Sequence, residues 1–246
     1  VKPIEKLLEA QRRILELVRQ KKIAIGIIGG GPSAVEISGN IWRLVRGAAT
    51  HQPDIVIYTK TTLMPGHPRR IRAKAFASLT SRGIEVREQS GVKEIGTGRI
   101  RLASGQEQAA DIIFMAVGVK PSPVFQDSGL PTGPDGGLLV NHYLQSTAHP
   151  NMFGGGDCIC FEERALDKVG VYAVRQNPVL LHNLMAALEG GPLQSFDPGG
   201  DYLLIFNLGD GTGIFRKRWL LFGGRPAFLV KDYIDRKFMR EFQALE

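Results

Sequence analysis

A run of glycines caught between two apolar patterns of different period constrains this chain most. Ile23 to Ile28 is short and wholly apolar, and it leads straight into Gly29-Gly30-Gly31-Pro32. From Ser33 to about Val45 the apolar residues return at helical spacing. An apolar run without alternation is what a parallel strand buried on both faces requires. Followed by glycines and a helix, it predicts one strand–turn–helix unit of a parallel α/β sheet. Within Gly29-x-Gly31-x-x-Ala34, Gly29 permits the tight turn and Gly31 lets the backbone approach a pyrophosphate. The small Ala34 lets helix and strand pack closely, and the helix start at Pro32 and Ser33 faces the phosphates. Residues 29–34, Gly30 included, are therefore candidate cofactor-binding residues. The alternative, a glycine turn that binds nothing, is disfavoured by this context.

The rest of the chain repeats the alternation. Residues 3–19 read as an amphipathic helix with Pro3 in its first turn and a stripe of Ile4, Leu7, Leu8, Ile14, Leu15 and Val18. Further strands are expected at 55–58, 84–88 and 112–117, a helix over 69–81 and a hairpin through 91–104. Residues 121–137 are Pro/Gly-rich and irregular. A strand over 138–143 and a helix from about Gly170 to Leu188, stopped by Gly190-Gly191, come next. Beyond Pro192, short strands over 202–208, 212–215 and 219–221 precede a closing helix at about 230–242.

Composition removes several classes. The 30 glycines in 246 residues exceed the usual ~7% but follow no collagen period. The longest apolar run, Ile112–Val119, is far short of the ~18 residues of a membrane span. Two cysteines exclude a disulfide-stapled scaffold and a four-cysteine zinc site, and the five histidines form no metal spacing. Lys2, Glu5 and Lys6 stand where a signal peptide would need its apolar core, so a cytoplasmic setting is expected. The net charge of +7 collects in residues 1–22, 60–82 and 214–246. These stretches lack aromatic interleaving and any helix-turn-helix or finger spacing, so no nucleic-acid partner is expected. A phosphorylated cofactor or an anionic membrane surface suits them better.

The end of the second strand bears on which nucleotide is bound. An NAD-binding unit usually places an acid there for the ribose 2′-hydroxyl. This chain has Tyr58-Thr59-Lys60, with Asp54 at the wrong end. Thr59 and Lys60 are thus candidate nucleotide contacts, and the missing acid tilts the choice toward NADPH over NADH. Plain surface charge is the other reading of Lys60 and Arg69–Arg72.

Two further motifs make the pattern specific. Residues 111–121 form an apolar strand ending in Ala116-x-Gly118-x-x-Pro121, and His149 to Asp157 reads as a strand ending in Gly156-Asp157. In this order and spacing the three motifs resemble the pyridine nucleotide–disulfide oxidoreductase superfamily of two-domain flavoproteins. Val1–Ile4, Gly170–Gln176 and Lys231–Arg240 resemble its type II NADH dehydrogenase-like branch, and also the FAD-dependent domains fused to selenide, water dikinase. The resemblance implies an α/β fold: a Rossmann-like NAD(P)-binding domain inserted in a partial FAD-binding domain, plus a small α+β tail. It implies a connecting helix at 1–19, the NAD(P) domain at 20–115, the second part of the FAD domain at 116–192 and an interface region at 193–246. It also implies that Gly118 marks the return crossing, that Gly156 and Asp157 hold the FAD ribityl–phosphate region, and that Val174 to Gln176 lie beside the flavin. Glu36 is assigned to the flavin–nicotinamide junction as the catalytic residue.

The resemblance exposes an absence as well, since the family's first G-x-G-x-x-G, which binds the ADP half of FAD, is not found here. The chain is expected to be a C-terminal fragment, inactive alone, of an FAD-dependent oxidoreductase. That enzyme would pass hydride from NADH or NADPH to flavin and on to a quinone or another small acceptor. The rivals are a non-catalytic NAD(P)-binding sensor or scaffold and an oxidoreductase of selenium or sulfur metabolism. Cys158 and Cys160 form C-x-C, not the redox pair of a disulfide reductase, and read as packed thiols. For the tail around Trp219–Phe222 and Ala227–Val230, core and homodimer packing is favoured over peripheral contact with the cytoplasmic face of a membrane.

Overall fold

The apolar strands predicted from sequence are the buried centre of a parallel sheet. The computed structural model describes residues 5–48 and 50–243. Pro3 and Ile4, expected in the first helix, lie outside the described residues. In chain order the first elements are α1 (Glu5–Gln20), β1 (Ala24–Ile28), α2 (Pro32–Val45), β2 (Asp54–Tyr58), α3 (Arg69–Thr80) and β3 (Glu85–Arg87). Then come β4 (Val92–Gly96), β5 (Arg99–Leu102), β6 (Glu107–Ala109) and β7 (Ile112–Met115). After them stand α4 (Val124–Asp127), β8 (Leu138–Val140), β9 (Ile159–Phe161) and α5 (Gly170–Glu189). The tail holds β10 (Leu204–Asn207), β11 (Gly213–Lys217), β12 (Leu220–Gly224) and α6 (Arg225–Gln243). They fall into two compact units, one running to Val117 and resuming at Leu203, the other Gly118–Tyr202.

In the first unit β3-β2-β1-β7 form one sheet whose neighbours all run parallel. Ile25 and Ile27 of β1 join the helix-side core with Ile14, Val18, Val35 and Ile41. Ile28 turns to the other face, where Tyr58, Ile100, Leu102 and Ala110 meet it. That face is covered by the antiparallel meander β4-β5-β6, which explains why β1 has no polar side. The third meander strand was not anticipated; it is short and polar and exists only as the partner of β5. In α1 the buried side chains are Ile14, Leu17 and Val18, while Leu7 and Leu8 of the expected stripe stay exposed.

The tail sheet β10-β11-β12 and α6 belong to this same unit. Phe206, Leu208 and Ile214 enter the helix-side core. Helix α6 begins at Arg225, earlier than expected, because Pro226 fits a first helical turn. In the second unit β8 and β9 pair in parallel and α5 closes a core of Leu138, Val140, Leu144, Ile159, Phe161, Val179 and Phe196. The expected strand ending in Gly-Asp is corrected here. Residues 149–157 form a loop in which Phe153 makes an isolated bridge to Gln145, and the strand β9 follows the Gly-Asp pair. The glycines cause this: Gly156 adopts φ +72° and opens a 3₁₀ turn over Gly156–Cys158.

Candidate functional site

The glycine loop sits at the carboxyl end of β1, between β2 and β7, where strand order reverses and where open α/β sheets bind their ligands. Its three glycines are needed for three different reasons. Gly29 has φ +129°, and a Cβ there would stand 2.2 Å from the Ala116 carbonyl oxygen of the strand end beside it. Its N–H donates to Tyr58 O at 2.9 Å, so the turn is pinned to the ends of both neighbouring strands. At Gly30 a Cβ would lie 2.3 Å from Thr59 Oγ1. Gly31 differs: its φ is −81°, and a Cβ there would meet nothing within 4 Å. No contact within 4 Å asks for glycine at 31; the space above it is open, and a side chain would project into it. Pro32 occupies the first turn of α2, the Ala34 N–H donates to Gly31 O at 3.1 Å, and Ala34 is fully buried against the sheet. Ser33 is exposed at the helix start.

The second-strand residues divide. Thr59 is buried beneath Gly30, whereas Lys60 is exposed, with its stem over Gly91. Arg69 and Arg70 are exposed, but Arg72 turns back to donate to Leu63 O at 3.0 Å. An acid that sequence spacing did not reveal comes in from the end of β3: Glu88 accepts from the Leu63 N–H at 2.6 Å.

Glu36 stands one turn into α2, partly buried. Its carboxylate accepts the Asn207 N–H at 3.0 Å, and the Lys231 ammonium of α6 lies 3.9 Å away. Burial pushes the Glu36 carboxyl above its ordinary value, and the Asn207 bond and Lys231 only partly oppose this. Asn207 and Lys231 were missed from sequence. No local pattern links positions so far apart in the chain.

In the second unit Gln176 is 1% exposed and its Oε1 accepts the Gly156 N–H at 2.5 Å. It thereby holds the turn that carries Asp157. Asp157, Tyr172, Gln176, Cys160 and Lys168 line a cavity of about 130 Å³. Val174 is 45% exposed, and Gly118 has φ +92° with open space around it. Of the residues expected around the flavin, the fold thus joins Gly156 to Gln176 directly and leaves Val174 on the surface. Asn183, also missed, is fully buried; it donates to the carbonyls of Tyr143 and Gln194 and accepts the Gln194 N–H. The Cys158 thiol donates to Gly155 O at 3.0 Å, and Cys160 packs over Gly133. Burial and the nearby Asp135 push the Cys160 thiol up, the reverse of what a reactive cysteine needs. Replacing Gln176 by leucine should cost about 1–3 kcal/mol, because the Gly156 N–H loses its acceptor. Chemical denaturation of the variant checks this, with Gln176→Glu expected to retain most of the stability.

Residues 4–185 match the profile of the family described as pyridine nucleotide-disulphide oxidoreductase. The chain belongs to that family. Among curated relatives, it is 26% identical to the type II NADH:quinone oxidoreductase of Haemophilus influenzae over 230 residues, 86% of this chain and 52% of that protein. It is 26% identical to the demethylphylloquinone reductase NdbB of Synechocystis, covering 80% of this chain and 50% of that one. The chain spans about half the length of the curated relatives it matches. In fold it is similar to reduced Bacillus anthracis CoADR-RHD, with a TM-score of 0.68 at 20% identity, over 87% of this chain and 37% of that one.

The family's cofactors can be tested against these residues. The open approach over Gly31 and the turn built by Gly29 and Gly30 fit the pyrophosphate of a nicotinamide nucleotide. The Gly156-Asp157 turn, its cavity and the start of α5, which has no acidic residue in its first turn, fit one end of FAD. Among the described residues no group of three His, Cys, Asp or Glu could hold a metal ion.

Proposed function

We propose that this chain supplies the nicotinamide-nucleotide domain and the second part of the flavin domain of an FAD-dependent NAD(P)H oxidoreductase. Its electrons would pass on to a quinone or another small acceptor. The observation that carries the reading is Gly31, a glycine with unstrained backbone and open space above it at the switch point of the sheet. When bound, FAD and NAD(P)H supply the redox chemistry. The protein's part would be to bind and orient: the loop over 29–34 would hold the pyrophosphate of the nucleotide, Asp157 the ribityl side of the flavin, and Glu36 would serve the nicotinamide end. A carboxyl kept partly buried at that point holds a proton more readily than one in water.

The acceptor class is supported by the relatives, which are named a quinone oxidoreductase and a phylloquinone-type reductase. Val174, Leu181, Leu184, Met185 and Leu188 are all exposed. At helical spacing they share one face of α5, as expected of a helix that packs against further polypeptide of the flavin domain. Trp219 is 88% exposed, and Leu229 and Tyr233 are exposed among Arg236, Lys237 and Arg240. This apolar and cationic tail suits peripheral contact with an anionic membrane surface. No helix among the described residues is long and apolar enough to cross a membrane.

Nucleotide titration tests the reading. NADPH is expected to bind at least as tightly as NADH, because no carboxylate at 58–60 repels a 2′-phosphate. A Lys60 contact to that phosphate is a charge-assisted bond worth roughly 1.5–3 kcal/mol, about ten- to a hundredfold in affinity. Exposure and salt put Lys60 at the low end. Lys60→Glu should shift the preference toward NADH. Markedly tighter NADH binding by the unmutated chain would overturn the cofactor choice, and binding of neither nucleotide would overturn the site.

A further inference from the structure

Lys231 stands between two carboxylates. Its ammonium donates to Asp235 one turn along α6, at 2.9 Å, and lies 3.9 Å from Glu36 Oε1, beyond hydrogen-bond reach. The file opens to solvent at Asp235, whose side chain is 57% exposed against 24% at Lys231 and 31% at Glu36. Glu36 is faced by the Asn207 N–H from β10 and by Lys231 and Asp235 from α6. Asn207 in turn donates its side-chain amide to Asn40 of α2, at 3.2 Å.

We propose that Asp235 is a positioning residue: by holding Lys231 toward the open end of this file it keeps the ammonium from closing on Glu36, and so leaves the Glu36 carboxyl able to carry a proton. A lysine that hydrogen-bonded Glu36 directly would lock it as a carboxylate. The geometry shows the other arrangement, with Asp235 taking the short contact. The Lys231–Asp235 pair has lysine on the N-terminal side, the weaker order on a helix, and Asp235 is exposed, so little free energy separates the two placements. Burial and the Asp235 charge both act to raise the Glu36 carboxyl, in line with this arrangement. The catalytic meaning of that proton rests on the function proposed above; the placement of Lys231 does not.

The test is a carboxyl ¹³C NMR titration of the whole chain labelled at glutamate, with Glu36 assigned through Glu36→Gln. Lys231→Met should raise the Glu36 midpoint by about one pH unit. Asp235→Asn should lower it, because the freed ammonium closes on Glu36, and Asp235→Glu should leave it near the parent value. A double-mutant cycle separates positioning from simple repulsion. In the Lys231→Met background Asp235→Asn should lose most of its effect. An equal fall in both backgrounds would mean that Asp235 acts by charge alone, and an unchanged midpoint in Asp235→Asn would remove any role; either result overturns the proposal. Asp235→Ala serves as a second charge-removing variant should the asparagine form melt. A chain that fails to bind NADPH yet titrates as expected would sink the proposed function and spare this inference; the converse result would do the opposite.

Discussion

Replacing Gly31 with valine is expected to remove nicotinamide-nucleotide binding while leaving the fold nearly as stable as before. The backbone at this position, with φ −81° and ψ −178°, is extended and open to any residue, and a Cβ would have nothing within 4 Å. The freedom lost by the unfolded chain favours the valine by a few tenths of a kcal/mol, and its poor fit at the N-cap of α2 opposes this, so stability should stay within about 1 kcal/mol of the parent. The valine would stand in the open space through which, on the proposed function, a pyrophosphate approaches the backbone N–H groups. Affinity for NADPH should fall by roughly a hundredfold or more, about 2.7 kcal/mol. Fluorescence titration and thermal melting of the same sample decide it. A variant that binds like the parent chain would show that the loop is not the nucleotide site.

The same substitution inside α2, which follows this loop, should do the reverse. At Gly39 a Cβ would lie 2.1 Å from the Leu208 carbonyl oxygen and 2.6 Å from its carbon. Facing it, Gly209 has φ +85°, and a Cβ there would stand 2.0 Å from Gly39 O. Backbone meets backbone at this contact, so no flexible side chain can move aside. Gly39→Val must therefore push the loop after β10 off α2, and with it the anchoring of Phe206, Leu208 and Ile214 in the core. Overpacking plus the loss of these buried groups should cost about 4 kcal/mol, at the upper end of single substitutions. Denaturant unfolding checks the value; a loss below about 1 kcal/mol would mean that the tail docks more loosely than this contact implies.

Much of the first unit was legible because its signals are local. An apolar run, a change of period and a glycine turn are read within a few residues, and β1, α2, β2 and β7 follow from them with the candidate loop between. The three glycines looked alike in sequence. Only their neighbours, Ala116 O for Gly29, Thr59 for Gly30 and open space for Gly31, tell the glycines that the packing requires from the one that it does not. The resemblance puts Gln176 beside a flavin; that its Oε1 also accepts the Gly156 N–H is seen only in the fold.

By itself the sequence determined most strands and helices of the first unit and the glycine loop between β1 and α2, since periodicity and glycine freedom act over short stretches of chain; β6 and the loop over 149–157 escaped it. The tertiary structure alone decided which distant groups meet. It brought Asn207 and Lys231 to Glu36, Glu88 to Leu63, and Gly209 to Gly39. Such pairings leave no trace in local pattern, because a buried carboxyl is satisfied by whatever donor the packing delivers, from any point along the chain.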